Sequence, residues 1–189
     1  MDIQNKNRTW AEINSANLEY NYRGIRERVH EISPETKVLS VVKSDAYGHG
    51  AVQVAKTLSA IGTDYFAVAT APEAAELREA GLEEPILILG YVGEEDLPYL
   101  MEHHISVALC DEHTAQMFSK VAQEVGKPIH VHIALNTGMT RIGFEANSDK
   151  ASIERIVSAV SLPGIVTEGI FTHFAVADTA DGNEYTDEQ

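Results

Sequence analysis

The segment Val41-Val42-Lys43-Ser44-Asp45-Ala46-Tyr47-Gly48-His49-Gly50 places an amine where an apolar run, Val38-Leu39-Ser40-Val41-Val42, gives way to a polar, glycine-flanked turn. A strand buried in a sheet ordinarily ends without a charge, because an unpaired ammonium in a low-dielectric interior is costly. Desolvation there favours the neutral amine, the form that attacks an aldehyde and holds a cofactor as a Schiff base. The plain alternative is a strand-end lysine reaching into water, and position alone does not choose between them. Two further polar groups follow extended runs. Arg141 comes after Thr137-Gly138-Met139-Thr140, whose glycine suits a tight turn, and His173 comes after Ile165–Phe171. His130 and His132 have a spacing that zinc could use, but no carboxylate or cysteine pattern joins them. Packed, internally bonded histidines are expected there, with no metal. His103-His104 reads as a surface feature at a helix end.

Short β-branched runs alternate with amphipathic segments throughout. The strands are expected at Val38–Val42, Tyr65–Ala69, Pro85–Leu89, Ser106–Leu109, Ile129–Leu135 and Ile165–Phe171. A first helix spans roughly Ser15 to Glu31, aligning Leu18, Tyr22, Ile25 and Val29. Thr70-Ala71-Pro72-Glu73 reads as a capping box with proline in the first turn, and Gly81 closes that helix. Asp111 caps a helix that Gly126 ends, and Ser148 begins another with a stripe of Ile153, Ile156, Val157 and Val160. The polar stretch from Asp181 to Gln189 has the makings of one more.

Strands alternating with helices mean βαβ units and a parallel sheet. A doubly wound sheet and a (β/α)₈ barrel compete. No G-x-G-x-x-G follows the first strand, which weakens the dinucleotide-binding version. Along the fifth strand Ile129, Val131, Ile133 and Leu135 share one face, and His130, His132, Ala134 and Asn136 the other. A barrel strand needs an apolar outer face under helices and tolerates polar groups inside, near its C-terminal mouth. An α/β chain carrying an incomplete (β/α)₈ barrel, about six of the eight strands, is therefore expected from these 189 residues. In such a barrel the strand C-termini gather Lys43, Leu89, Arg141 and His173 at one mouth. Amine, guanidinium and imidazole together suit pyridoxal phosphate, which brings an aldehyde, a phenolic oxygen and a phosphate.

Charge and composition narrow the partners. The net charge of −15, from 29 acidic against 14 basic residues, argues against nucleic acid and against anionic membranes. A single cysteine, Cys110, excludes a disulfide framework and agrees with a reducing cytoplasm. Met1–Arg8 is polar, without the apolar segment of a secretory signal, and Ile86–Val92 is too short to span a bilayer.

Three motifs together resemble one family. Val42-Lys43-Ser44-Asp45-Ala46-Tyr47-Gly48-His49-Gly50 resembles the cofactor-attachment motif of the alanine racemases. Thr137-Gly138-Met139-Thr140-Arg141-Ile142-Gly143 and Thr172-His173-Phe174-Ala175-Val176-Ala177-Asp178 resemble two more of its signatures, in the same order and spacing. Thr9-Trp10-Ala11-Glu12-Ile13 resembles its opening, and Pro85-Ile86-Leu87-Ile88-Leu89-Gly90 its third strand. The resemblance implies that Lys43 binds pyridoxal 5'-phosphate and then acts as the base serving the D-enantiomer. It implies that Tyr47 hydrogen-bonds the phosphate and that Leu89 packs near the cofactor. Arg141 would contact the phenolic oxygen and orient the substrate carboxylate. His173 would lie by the ring and support the arginine that faces the pyridine nitrogen.

The same resemblance implies a cytoplasmic enzyme that interconverts L- and D-alanine, supplies D-alanine for peptidoglycan, and works as a homodimer. Two positions depart from it. Ala134 stands where many members carry a lysine, often carbamylated, and Asn136 where many carry aspartate. Asn136 is expected to replace the missing polar partner of Arg141. The family's second base, a tyrosine from a C-terminal β-domain, matches nothing here, so residues 1–189 are read as the N-terminal part of the barrel domain and as inactive alone. A serine or broad-specificity racemase, a non-catalytic pyridoxal-phosphate homeostasis barrel and a cofactor-free Schiff-base lyase are the other readings.

Overall fold

The computed structural model describes residues 9–146 and 150–189. Its elements run α1 (Ser15–Ile32), β1 (Leu39–Val41), α2 (Lys43–Gly48), α3 (Ala51–Ala60), β2 (Tyr65–Val68), α4 (Ala71–Glu79), β3 (Ile86–Ile88) and α5 (Leu97–Glu102). They continue as β4 (Ile105–Leu109), α6 (Glu112–Val125), β5 (Ile129–Asn136), β6 (Phe144–Glu145), α7 (Lys150–Val160), β7 (Ile165–Thr172) and α8 (Asn183–Glu188). Every strand pairing is parallel, and the order β1-β2-β3-β4-β5 continues to β7, which pairs with β5. β1 and β7 are the sheet's edges and do not pair, so the barrel is open, as expected for an incomplete one.

All six expected strands are present. A seventh, β6, is two residues long and pairs Leu135 with Phe144 and Asn136 with Glu145. Nothing in so short a run announces a strand. It forms because the turn after β5 returns the chain alongside it.

The core lies between the sheet and its helices. Phe66, Val68, Ile86, Ile88, Val107, Leu109 and Val131 are fully buried, facing Leu77, Leu97, Leu100, Ala115 and Phe118 of the helices. Each such side chain contributes about 1.5–3 kcal/mol over leaving it in water. Helix ends follow the sequence closely. Thr70 and Glu73 form the capping box of α4, with Pro72 in its first turn, and Asp111 Oδ1 accepts Thr114 N–H at 2.7 Å at the start of α6. Gly126 ends α6 with φ 72°, a left-handed conformation that costs glycine nothing.

Two helix stripes are only half covered. In α7, Ile156 and Val160 pack on the core while Ile153 and Val157 are exposed; the expected helix start at Ser148 lies outside the described residues. In α1, Tyr22 is buried but Ile25 is exposed. These helices flank the two open edges of the sheet, where no further strand gives the outer residues a surface to bury against.

Candidate active site

Because every strand is parallel, all C-terminal strand ends lie on one rim. Lys43 follows β1, Leu89 follows β3, Arg141 follows β5 and His173 follows β7. Leu89, Arg141 and His173 line one cavity of about 250 Å³ on that rim, together with Val41, Ala134, Asn136, Met139 and Phe171. Lys43 sits at the neighbouring strand end, half-buried, and is not in that lining. Tyr47 is 62 % exposed and borders a different cavity, between α1 and the β1–α2 segment. The five expected residues therefore share a rim, but only three share a cavity.

The backbone that carries Lys43 is unusual. Ser44, Asp45, Ala46 and Tyr47 have φ of 54°, 54°, 51° and 56°, so α2 is built on four consecutive non-glycine residues in the left-handed region. Each such residue costs about 1–2 kcal/mol, and such runs persist only where the surroundings over-determine them. The anchors are visible. Val42 N–H donates to Ala67 O at 2.8 Å, tying the strand end to β2. Ala46 N–H donates to Val42 O at 2.9 Å, and Gly50 N–H to Asp45 O at 2.9 Å. Asp45 Oδ1 accepts Ala51 N–H at 2.7 Å, and Glu73 Oε1 accepts Ser44 N–H at 2.7 Å. Gly48 and Gly50, with φ of 83° and 89°, let the chain leave the turn and enter α3.

The turn that carries Arg141 is built differently. Asn136 Oδ1 accepts Gly138 N–H at 3.2 Å and Thr140 N–H at 2.8 Å, and its Nδ2 donates to Glu145 at 3.0 Å. Asn136 thus shapes the turn and does not partner Arg141, a correction to the expected role. The physical reason is reach: an asparagine amide saturates on the nearest backbone donors before it meets a guanidinium five residues on. Tyr185 and Gln189 hold the turn from above. Tyr185 OH donates to Gly138 O at 2.8 Å, and Gln189 Nε2 donates to Thr137 Oγ1 at 3.1 Å. Neither was legible as a site residue, since only the fold brings α8 over β5.

Arg141 is exposed, and among the described residues neither it nor Lys43 makes an ion pair. Two uncommitted cations on one rim of so acidic a chain fit an anionic aldehyde cofactor. Lys43 supplies the amine, Arg141 a planar guanidinium for a phenolic or carboxylate oxygen, and Leu89 an apolar wall.

Toward the N-terminal part of the strands, away from that rim, His130 Nδ1 lies 2.8 Å from Glu168 Oε1, and Ser106 Oγ donates to Glu168 Oε2 at 2.5 Å. Glu168 sits at a β-bulge where β7 slips against β5 between Val131 and His132. His130 is internally bonded as expected. His132 is not: its Nε2 is buried without a hydrogen-bond partner and stays 3.8 Å from Glu168. Burial holds the His132 pKa below the usual imidazole value, against the opposing pull of Glu168. Burial also pushes Glu168 upward, but hydrogen bonds from Ser106 and His130 outweigh it and hold the carboxyl below its usual range. Among the described residues no His, Cys, Asp and Glu cluster could hold a metal ion.

Known proteins share this sequence and this fold. The family model for the alanine racemase N-terminal domain matches residues 13–189. An alanine racemase of Methanococcus maripaludis is 41% identical over 172 residues, covering 91% of this chain and 45% of that protein. The solved alanine racemase of Clostridium difficile in complex with cycloserine superposes with a TM-score of 0.89 at 41% identity, covering 97% of this chain and 49% of that one. A histidine racemase of Leuconostoc mesenteroides superposes with a TM-score of 0.80 at 26% identity, covering 92% of this chain and 45% of that one. The chain thus spans about half the length of the relatives it matches. With the lysine turn, the arginine turn and the open parallel barrel all in place, the chain belongs to the alanine racemase N-terminal domain family.

Proposed function

We propose that this chain is the cofactor-lysine half of a pyridoxal-phosphate-dependent racemase that interconverts L- and D-alanine. The observation that carries the reading is the shared rim of Lys43 and Arg141, two cations without ion-pair partners among the described residues, flanked by Leu89 and His173. When bound, the cofactor supplies an aldehyde and an electron-withdrawing ring that stabilises charge at the carbon exchanging its proton. The chain's own residues bind, orient and move protons. Lys43 Nζ would hold the cofactor and would serve as the base on one face of the substrate. The Tyr47 hydroxyl, exposed beside the Lys43 turn, would bond the phosphate. Arg141 would take the phenolic oxygen and orient the substrate carboxylate, a task its planar fork suits. Leu89 would pack against the cofactor and exclude water, and His173 would lie beside the ring.

Residues 1–189 are the N-terminal portion of the barrel domain, and alone they racemise little or no alanine. The complete enzyme is a cytoplasmic homodimer supplying D-alanine for peptidoglycan. Among the described residues no helix is long and apolar enough to cross a membrane. The relatives named as racemases favour catalysis over cofactor storage. The similarity to a histidine racemase favours a second reading of the substrate, a racemase of other or broader amino-acid specificity.

Incubation with pyridoxal phosphate, borohydride reduction and peptide mapping test the reading. The label is expected on Lys43, with Lys43→Ala unlabelled and colourless. A label distributed over surface lysines, or equal labelling of Lys43→Ala, would overturn it.

A further inference from the structure

We propose that Glu73 is a positioning residue for Lys43, an inference that rests on the reading of Lys43 as the cofactor lysine. Glu73 lies in the first turn of α4 and closes its capping box. For that task one oxygen suffices: Oε2 accepts Thr70 N–H at 3.2 Å and Ala69 N–H at 2.7 Å. The other oxygen points across to the next strand end, where Oε1 accepts Ser44 N–H at 2.7 Å. One carboxylate therefore bridges the C-terminal ends of β1 and β2, which are already paired through Val41 and Ala67.

Ser44 is both the residue bonded to Lys43 and the first of the four left-handed residues. A hydrogen bond to an ionised carboxylate is roughly twice as strong as a neutral one, which suits an anchor for strained backbone. Asp45 grips the far end of the same turn through Ala51 N–H at 2.7 Å. With Glu73 removed, the near end is free to relax toward the right-handed region, rotating the Cα–Cβ direction of Lys43. Glu73 takes backbone amides and, among the described residues, makes no ion pair with Lys43, so it holds the lysine without neutralising its chemistry.

The test compares Glu73→Ala and Glu73→Gln with Thr70→Ala, which breaks the same capping box and leaves both carboxylate contacts in place. The readouts are the rate at which the visible band forms with pyridoxal phosphate, its pH midpoint, hydrogen exchange at the Ser44 amide, and melting temperature. Glu73→Ala is expected to slow band formation about tenfold or more and to release the Ser44 amide to fast exchange. Glu73→Gln falls between it and the parent, and serves if the alanine variant does not fold. Thr70→Ala lowers the melting temperature but keeps the parent's rate and exchange. Parent-like rates in both Glu73 variants, or equal slowing in Thr70→Ala, would overturn the proposal. If the unmodified protein forms no adduct at Lys43, the cofactor reading fails, and Ser44 exchange alone then decides whether Glu73 holds the turn.

Discussion

Asn136 Oδ1 accepts the amide of Thr140 at 2.8 Å, folding the chain between β5 and Arg141 back on itself. The same side chain donates to Glu145 at 3.0 Å, so it links the turn to β6 on the other side. Asn136→Leu loses these bonds and leaves turn amides without their acceptor. It is expected to cost about 1–3 kcal/mol of stability, measured by urea unfolding. Asn136→Asp keeps the acceptor but sets a carboxylate against Glu145. Its deficit is expected to grow between pH 4 and pH 7, and a deficit independent of pH would refute the contact.

Gly90, directly after Leu89, has no room for a side chain. A methyl there would lie 2.3 Å from Ala69 O, on backbone that Glu73 Oε2 pins through Ala69 N–H. Gly90→Ala is expected to destabilise by about 1–3 kcal/mol and to displace Leu89. Thermal melting with and without pyridoxal phosphate measures both effects.

The histidines inside the barrel set an acid limit. Burial lowers the His132 pKa below its unfolded value of about 6.5, so the unfolded chain binds a proton that the folded one resists. The stability this contributes is full above that value and is lost as pH falls through the folded pKa. Glu168, whose pKa is lowered from 4.5, adds a second loss at more acid pH. Melting temperature is expected to fall on acidification below about pH 6.5, and His132→Gln to flatten the first part of that fall. A flat profile from pH 7 to 5 in the parent would contradict the burial of neutral His132.

Cys110 is expected to be a slow thiol. Burial, with Asp111 beside it, pushes its pKa up to about 11. At pH 8 its thiolate fraction is then roughly a hundredfold below that of an unperturbed cysteine. Alkylation by iodoacetamide should therefore be slow in the folded chain and fast in urea. Equal rates in the two states would show that the thiol is not buried.

The alternation of β-branched runs and capped amphipathic segments was enough to place the six expected strands, the helix ends at Thr70 and Asp111, and the strand-end positions of Lys43, Leu89, Arg141 and His173. These signals are local: periodicity, caps and glycines act over a few residues. What stayed hidden depends on distant residues or opposes local preference. The left-handed run Ser44–Tyr47 runs against the intrinsic preference of every residue in it, and two of the anchors around it, Ala67 and Glu73, are distant in sequence. The β-bulge at Glu168 and the two-residue β6 arise from pairing, not from composition. Exposure of Ile153 and Val157 reflects where the sheet stays open, which helical periodicity does not contain.

Sequence alone carried the family and the parallel architecture and put forward Lys43, Tyr47, Leu89, Arg141 and His173 as candidates, because motifs and strand ends are written in consecutive residues. Tertiary structure alone decided that Leu89, Arg141 and His173 share a cavity while Tyr47 faces another. It also decided that Asn136 serves its own turn and that Glu73, 29 residues beyond Ser44, holds the backbone at Lys43. Hydrogen bonds across strand ends form only once the sheet has set those ends side by side, and no local pattern encodes that distance.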